Sequence, residues 1–512
     1  MEDELFECRN GQVIIDPSVS EKMFLIKREH PERGDGSDDA TAYEWSEMGM
    51  AELFGVLYEK DCRYCPERKC WYTYYDGAWR RDEGEMLVSS KIKEFARLML
   101  LYCGEIEDDS MRGAYLKFVD KMGDRRMRDR IMKDARDVLP ISASEFDSDP
   151  YLINCLNGTY NLHNCTFHEH NWHDFLTMQT NFSHTVRRDV KCERWEQFID
   201  EVCEGNKDKA DYLQRALGYS MLGLSNEECM FILWGKTTRN GKSTLLNTIQ
   251  HLLGDYARVA PVGLICKDRI GSTSNTEGAS PVLASLKGRR FVTMAESNEY
   301  GKLDEEKIKQ MTGGEEITAR NLYESAMTFL PQFTLWLSCN DLPAVTDRSL
   351  FASDRIRVVE FGRHFSASEQ DKHLKEEFMT QDAMSGIFMW MVRGFKLYRS
   401  RGLEMSPAMK KVVAQYEKDN DVVEMFLEAT CMKVSDGSPT SANEYSITFK
   451  ALYERYKIWC KAEGYRWLPV QKFCGEMERH SEWHDGRATL HGVNVWRGLR
   501  LKSISDVVSG TK

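Results

Sequence analysis

Met230-Phe-Ile-Leu-Trp234, then Gly235-Lys-Thr-Thr-Arg-Asn-Gly-Lys-Ser-Thr244, then Leu245, Leu246, Ile249, Leu252 and Leu253: this stretch decides the fold. Five apolar residues in a row read as a buried strand, and the apolar spacing after Thr244 is that of a helix. Strand, glycine loop and helix therefore come in order. That order builds a phosphate site. Backbone N–H groups of the loop and the positive end of the helix cradle phosphate oxygens, Lys242 neutralises β/γ charge, and the Ser243 hydroxyl is placed to ligate Mg²⁺. Gly235, Asn240, Gly241, Lys242, Ser243 and Thr244 are the nucleotide-binding residues this predicts. The spacing departs from the usual one, because five residues rather than four separate Gly235 from Gly241. The extra residue falls in the first half of the loop and leaves the gripping half, Asn240 to Thr244, intact.

Three further apolar runs follow, Arg290-Phe-Val-Thr-Met-Ala295, Phe333-Thr-Leu-Trp-Leu-Ser338 and Ile356-Arg-Val-Val-Glu-Phe361, separated by helical stretches. That alternation predicts a parallel sheet, whose ligands sit at the carboxyl ends of its strands. The first run ends in Glu296, the expected carboxylate for Mg²⁺ and for polarising an attacking water, with Glu299 second and a plain surface glutamate as the alternative. The next ends in Asn340, whose amide suits a γ-phosphate sensor, although an Asn after a strand is also a common turn residue. Arg355 enters the last strand and is the expected arginine finger, with Arg357 and Arg348 as substitutes. Its alternative role is a salt bridge to Asp354 or Asp347.

At 512 residues the chain exceeds one core and fits roughly three or four domains. Its 42% hydrophobic and 29% charged content is that of globular protein. No apolar run reaches membrane-spanning length and the amino terminus is acidic, so a cytoplasmic protein with no membrane partner is expected. The 15 cysteines have no repeated spacing, and Cys62, Cys65 and Cys70 read as thiols rather than as half a zinc site. A net charge of −12 excludes a basic coat on nucleic acid, so any DNA contact must be local. The basic run from Lys121 to Lys133 is interleaved with acids and reads as a solvated helix face.

Along the chain, residues 1–50 read as a flexible acidic segment, 51–188 as a mixed α/β domain, 189–224 as two helices, and 225–402 as the phosphate-loop domain. Residues 403–446 read as a connector and 447–512 as helix, helix and a glycine-turned hairpin. The motifs resemble superfamily 3 helicases of the phage, plasmid and poxvirus helicase–primase group, an AAA+ type of ring ATPase. The likeness runs through Asp211–Tyr219, the phosphate loop, Lys287–Ser297, Lys309–Arg320, Pro331–Pro343 and Asp354–Phe361. Tyr75–Trp79 and Asn157–Leu162 are similar to the domain preceding the helicase in that group, and residues 447–503 to its winged-helix tail. The resemblance implies a multidomain α/β fold: an AAA+-like phosphate-loop core with a parallel sheet, a mixed α/β domain and helical collar before it, and a winged-helix-like domain after it. It also implies that Lys309–Arg320 is a hairpin in a ring channel, with Lys309 and Arg320 on DNA phosphates and Gly313-Gly314 at its turn. Asp354 departs from the group, where many relatives carry a second arginine.

The function so implied is an ATP- and Mg²⁺-dependent replicative helicase of a phage or mobile element. It would work as a homo-oligomeric ring, a hexamer in the family's pattern, on single-stranded and forked DNA. Residues 1–50 are too few for a polymerase fold, so a separate primase is expected. The rival is a replication initiator that uses nucleotide for assembly and Val470–Arg479 for duplex DNA, or simply packs that helix through Phe473 and Met477.

Overall fold

The computed structural model describes residues 6–9, 12–15, 43–106, 108–187, 190–266, 280–295, 302–320, 326–345, 348–434, 445–465 and 467–502. At its centre lies a five-stranded sheet made of β1 (Met230–Trp234), β2 (Ala257–Val259), β3 (Phe291–Ala295), β6 (Thr334–Cys339) and β7 (Ile356–Glu360). A separate antiparallel hairpin pairs β4 (Ile317–Ala319) with β5 (Met327–Phe329). The sheet order is β2-β3-β6-β1-β7 and every pairing is parallel. The phosphate-loop strand β1 thus sits between the strand that leads to Asn340 and the strand that Arg355 precedes. The parallel sheet is as expected. Strand β2 was not legible, because it has three residues and exposes Arg258 and Val259, which leaves no apolar pattern.

Strand β1 reads as an unbroken apolar run because both its faces are covered. Phe231, Ile232 and Leu233 are fully buried, and Trp336 of β6 stacks on Phe231 at 4.3 Å while its indole N–H donates to Ser220 Oγ at 3.0 Å. Helices α1 (Glu193–Val202) and α2 (Lys207–Tyr219) precede the sheet, and α3 (Lys242–Leu253) follows the loop. Helix α5 (Gln381–Arg401) lies so close to α2 that only glycine fits at the crossing. A Cβ on Gly394 would meet Gln214 O at 2.0 Å, and one on Gly218 would meet Phe395 N at 2.2 Å.

The amino-terminal region has its own core around Phe54, Trp71, Phe95 and Tyr115. Two three-stranded antiparallel sheets, 62–65/70–75/78–81 and 152–155/158–161/166–168, flank three helices at 86–102, 109–119 and 125–138. The basic run forms the last of these, which buries Met127 and Ile131 and pairs Arg130 with Glu47 at 2.7 Å, so it is the solvated face expected. Cys62 packs in one core cluster and Cys65 and Cys70 in another, all as free buried thiols. Within the segment expected to be flexible, Phe6–Arg9 pairs with Gln12–Ile15 as a hairpin.

Within the stretch expected as a connector, 403–446, two helices form. Helix α6 (Pro407–Asp419) buries Met409, Val413 and Tyr416 in the central core, and α7 (Val422–Thr430) belongs to the carboxyl-terminal unit. Intervening lysines hid the i, i+4, i+7 apolar spacing of α6. The terminal unit completes itself with α8 (Phe449–Glu463), α9 (Val470–Arg479) and the sheet 446–448/493–497/487–490, around Phe426, Tyr456, Phe473 and Trp496. Among the described residues no helix is long and apolar enough to cross a membrane.

Candidate nucleotide site and its neighbours

Helix α3 begins at Gly241, which takes a left-handed φ of 88° and supplies no side-chain cap. No side chain caps the start of α3, and a helix start of this kind is what a phosphate cradle uses. Gly235 and Gly241 are glycines for steric reasons: a Cβ on the first would meet Phe361 O at 2.4 Å, and one on the second would meet Val202 of α1 at 2.5 Å. Inside the loop, Lys242 is buried, and its ammonium donates to Gly235 O at 3.0 Å and to Asn340 Oδ1 at 3.1 Å. Two residues 98 apart in sequence thus meet at the carboxyl ends of adjacent strands. Ser243 is exposed beside them, with Thr244 next along the helix. Asn240 turns inward, its amide donating to Thr237 O at 2.6 Å, so this side chain braces the loop.

The inserted half of the loop has partners that sequence gave no sign of. Phe365 N–H donates to Arg239 O at 2.9 Å, and His364 Nδ1 lies 2.8 Å from Thr238 O. Arg239 itself sits at a left-handed φ of 57°. The segment after β7 therefore holds the longer loop in shape, a contact across more than 120 residues that no local pattern reveals.

Glu296, Glu299 and Asp347 lie outside the described residues. Arg355 is described, and it is engaged within its own chain rather than with Asp354. Its guanidinium donates to Glu228 Oε2 at 2.6 Å and to Thr312 Oγ1 at 2.8 Å. The backbone on both sides is strained: Glu228 has φ 46° and Asp354 φ 54°. Non-glycine residues in that region cost about 1–3 kcal/mol each and cluster at functional sites. Arg355 stands at the amino end of β7, where Ile356 pairs with Met230, and so at the opposite edge of the sheet from Lys242. Arg357 is half-buried next to Cys229, and Arg348 is held by three carboxylates.

An antiparallel hairpin, β4–β5, begins near the end of the Lys309–Arg320 segment that was expected to form one. Helix α4 (Glu305–Thr312), capped by Asp304, contains Lys309, so Lys309 is half-buried on a helix and not on the hairpin. Gly313-Gly314 joins α4 to β4 and is not the hairpin's turn, a correction that follows from the pairing of Ile317 with Phe329 and Ala319 with Met327. Arg320 is exposed at the end of β4, where the chain heads for the hairpin's tip.

Three family models match in succession: D5 N terminal like over residues 51–204, a family of unknown function (DUF5906) over 233–355, and poxvirus D5 protein-like over 418–497. Among curated relatives, a provisionally named helicase of Acanthamoeba polyphaga mimivirus is 24% identical over 77% of this chain and 43% of its own length. Another, of Invertebrate iridescent virus 3, is 24% identical over 61% of this chain and 35% of its own. The chain therefore spans less than half the length of these relatives. A solved structure, the apo C-terminal region of NrS-1, aligns with 88% of the chain and 98% of itself at 12% identity and a TM-score of 0.46. In its consecutive domain matches and its viral relatives the chain resembles the phage- and poxvirus-type helicase–primase group.

Proposed function

We propose that the chain is an ATP-driven DNA helicase subunit that works in a ring, with nucleotide held by one protomer and completed by an arginine of the next. The contact of Lys242 with Asn340 is the observation that carries this reading. It supports a site where one cation and one amide converge on the end of a triphosphate. Backbone N–H groups at the start of α3 and Lys242 would hold the phosphates, and the exposed Ser243 hydroxyl would ligate Mg²⁺. When bound, ATP with Mg²⁺ supplies a phosphoanhydride whose cleavage drives the cycle. Glu296 is proposed to orient and deprotonate water, and Asn340 to register the terminal phosphate.

Arg355 is the proposed finger, because it lies on the edge away from its own loop and can serve a neighbour's site. To do so it must leave Glu228 and Thr312. Thr312 ends α4, directly before Gly313 and the β4–β5 hairpin, so that release would loosen the base of the element proposed to follow the DNA strand through Arg320. Neither this cycle nor a hexamer requires a basic exterior, since a ring confines positive charge to its lumen. The carboxyl-terminal helices and antiparallel sheet support a winged-helix reading, and α1 and α2 the collar. ATP-dependent strand displacement on forked DNA, with Lys242→Ala as control, tests the proposal. Displacement by the wild type alone is expected. Nucleotide-dependent binding to duplex with no displacement would favour the replication initiator.

A further inference from the structure

The stretch between Asn340 and Arg355 joins the two residues proposed to respond to the terminal phosphate. Its described part is held at three points by one structural corner, the elbow where α6 meets α7. Tyr416 of α6 donates its hydroxyl to Pro343 O, and Val345 N–H donates to Asn420 Oδ1 at 2.8 Å. Arg348 makes the third hold: its guanidinium meets Glu417 Oε1 at 2.8 Å, Asp421 Oδ2, and Glu476 Oε2 of α9 at 3.4 Å. Asp421 is 3% exposed, caps α7 through Oδ1 to the N–H groups of Val423 and Glu424, and faces His480 Nε2 at 2.9 Å.

Asp421, Glu424 and His480 have ligand atoms close enough together to suggest a metal site. The chemistry argues otherwise. One oxygen of Asp421 is committed to the helix cap and the other to the Arg348 guanidinium and the His480 ring, so a metal ion would have to displace these partners and stand beside a fixed positive charge. A finger role would cost Arg348 more than Arg355, because it would strip the buried Asp421 carboxylate of its cation, whereas Glu228 is half exposed.

We infer that Arg348 is a positioning residue that clamps the sensor-to-finger segment to the α6–α7 elbow, so that the carboxyl-terminal unit sets the placement of Asn340 and Arg355. Only its consequence for turnover rests on the nucleotide reading. The clamp predicts that displacement of the terminal unit, as when it engages DNA, is felt at the nucleotide site.

The test uses the full chain with Arg348→Gln, Arg348→Lys and Glu417→Gln, each checked by thermal melting. Hydrogen–deuterium exchange is followed in the peptide spanning residues 336–355, and ATP turnover is resolved into kcat and KM. Arg348→Gln is expected to speed exchange in that peptide and to lower kcat on the order of tenfold or more, as small misplacements do. KM should stay within about twofold, the sign of altered placement rather than altered binding. Arg348→Lys keeps the charge and should recover part of both effects. Exchange identical to wild type in a folded Arg348→Gln protein, or a raised KM with kcat intact, would overturn the clamp. A wild type that hydrolyses no ATP would defeat the nucleotide reading instead, and exchange would still decide the clamp.

Discussion

Lys242 and Asn340 illustrate how far single residues could be read in advance. Each was singled out by its place after an apolar run, and the fold brings the two side chains to 3.1 Å because their strands are neighbours. Lys242→Ala removes the only ammonium in that contact and leaves Gly235 O without this donor. ATP turnover is expected to fall on the order of 10²-fold or more, with the melting temperature changed little by comparison, as measured by phosphate release and calorimetry. Arg355 was equally visible as a residue, but its partners were not. Glu228 and Thr312 precede it by 127 and 43 positions, beyond the reach of any periodicity. Glu228→Gln weakens the hold while keeping the side chain's shape. If Arg355 serves a neighbouring site, this variant should match or exceed wild-type turnover, whereas Arg355→Ala should lose on the order of 10³-fold. Equal losses in both would mark Arg355 as a staple of its own protomer.

Elements were legible where burial imposes a simple repeat. The strands β1, β3, β6 and β7 and the helices α1 to α3 follow apolar patterns that survive because both sheet faces are covered. The hairpin β4–β5 and strand β2 were misplaced or missed because three-residue strands carry no period, and α6 because lysines interrupt its buried stripe. Helix crossings are set by single glycines instead, and these are testable. Gly394→Ala would drive a methyl to 2.0 Å from Gln214 O, backbone that cannot swing aside, so α2 and α5 must separate. Denaturant unfolding should show a loss of about 1–3 kcal/mol or more. In the terminal unit, two histidines respond to acid in opposite senses. Burial alone would lower the His480 pKa, but Asp421 and Glu482 outweigh it and hold it above its ordinary value. Its contribution is full below about pH 6.5 and fades as pH rises through the folded value. Burial keeps His484 below its ordinary value, against the pull of Met477 O, so acidification through the same range costs stability there. Removing His480 as His480→Gln should make the unit melt lower as pH falls from about 8 to 5, and His484→Gln should give the reverse slope.

For the whole molecule the decisive question is whether the nucleotide site is shared between protomers. Within one chain the loop and Arg355 occupy opposite ends of the parallel sheet, with β1 running between them, so no rearrangement of side chains alone brings them together. Sequence order already placed the loop before Arg355, but only the parallel pairing of β1 with β7 shows that the loop and Arg355 lie at opposite ends of neighbouring strands. A closed ring of identical subunits solves the geometry, because every interface then sets one protomer's amino-end edge against the next one's loop. This yields a complementation test. Lys242→Ala subunits keep a sound arginine and lack a loop lysine, while Arg355→Ala subunits keep the loop and lack the arginine. Each alone should be nearly inert in ATP turnover. Mixed in equal amounts and allowed to exchange, they form a competent interface whenever an Arg355→Ala loop faces a Lys242→Ala neighbour in the right sense, about one neighbour pair in four. Turnover should recover toward roughly that fraction of wild type and rise with protein concentration as assembly does. Mixtures as inert as their components, in particles shown by light scattering to contain both, would place the finger elsewhere and leave Arg355 to its contacts with Glu228 and Thr312.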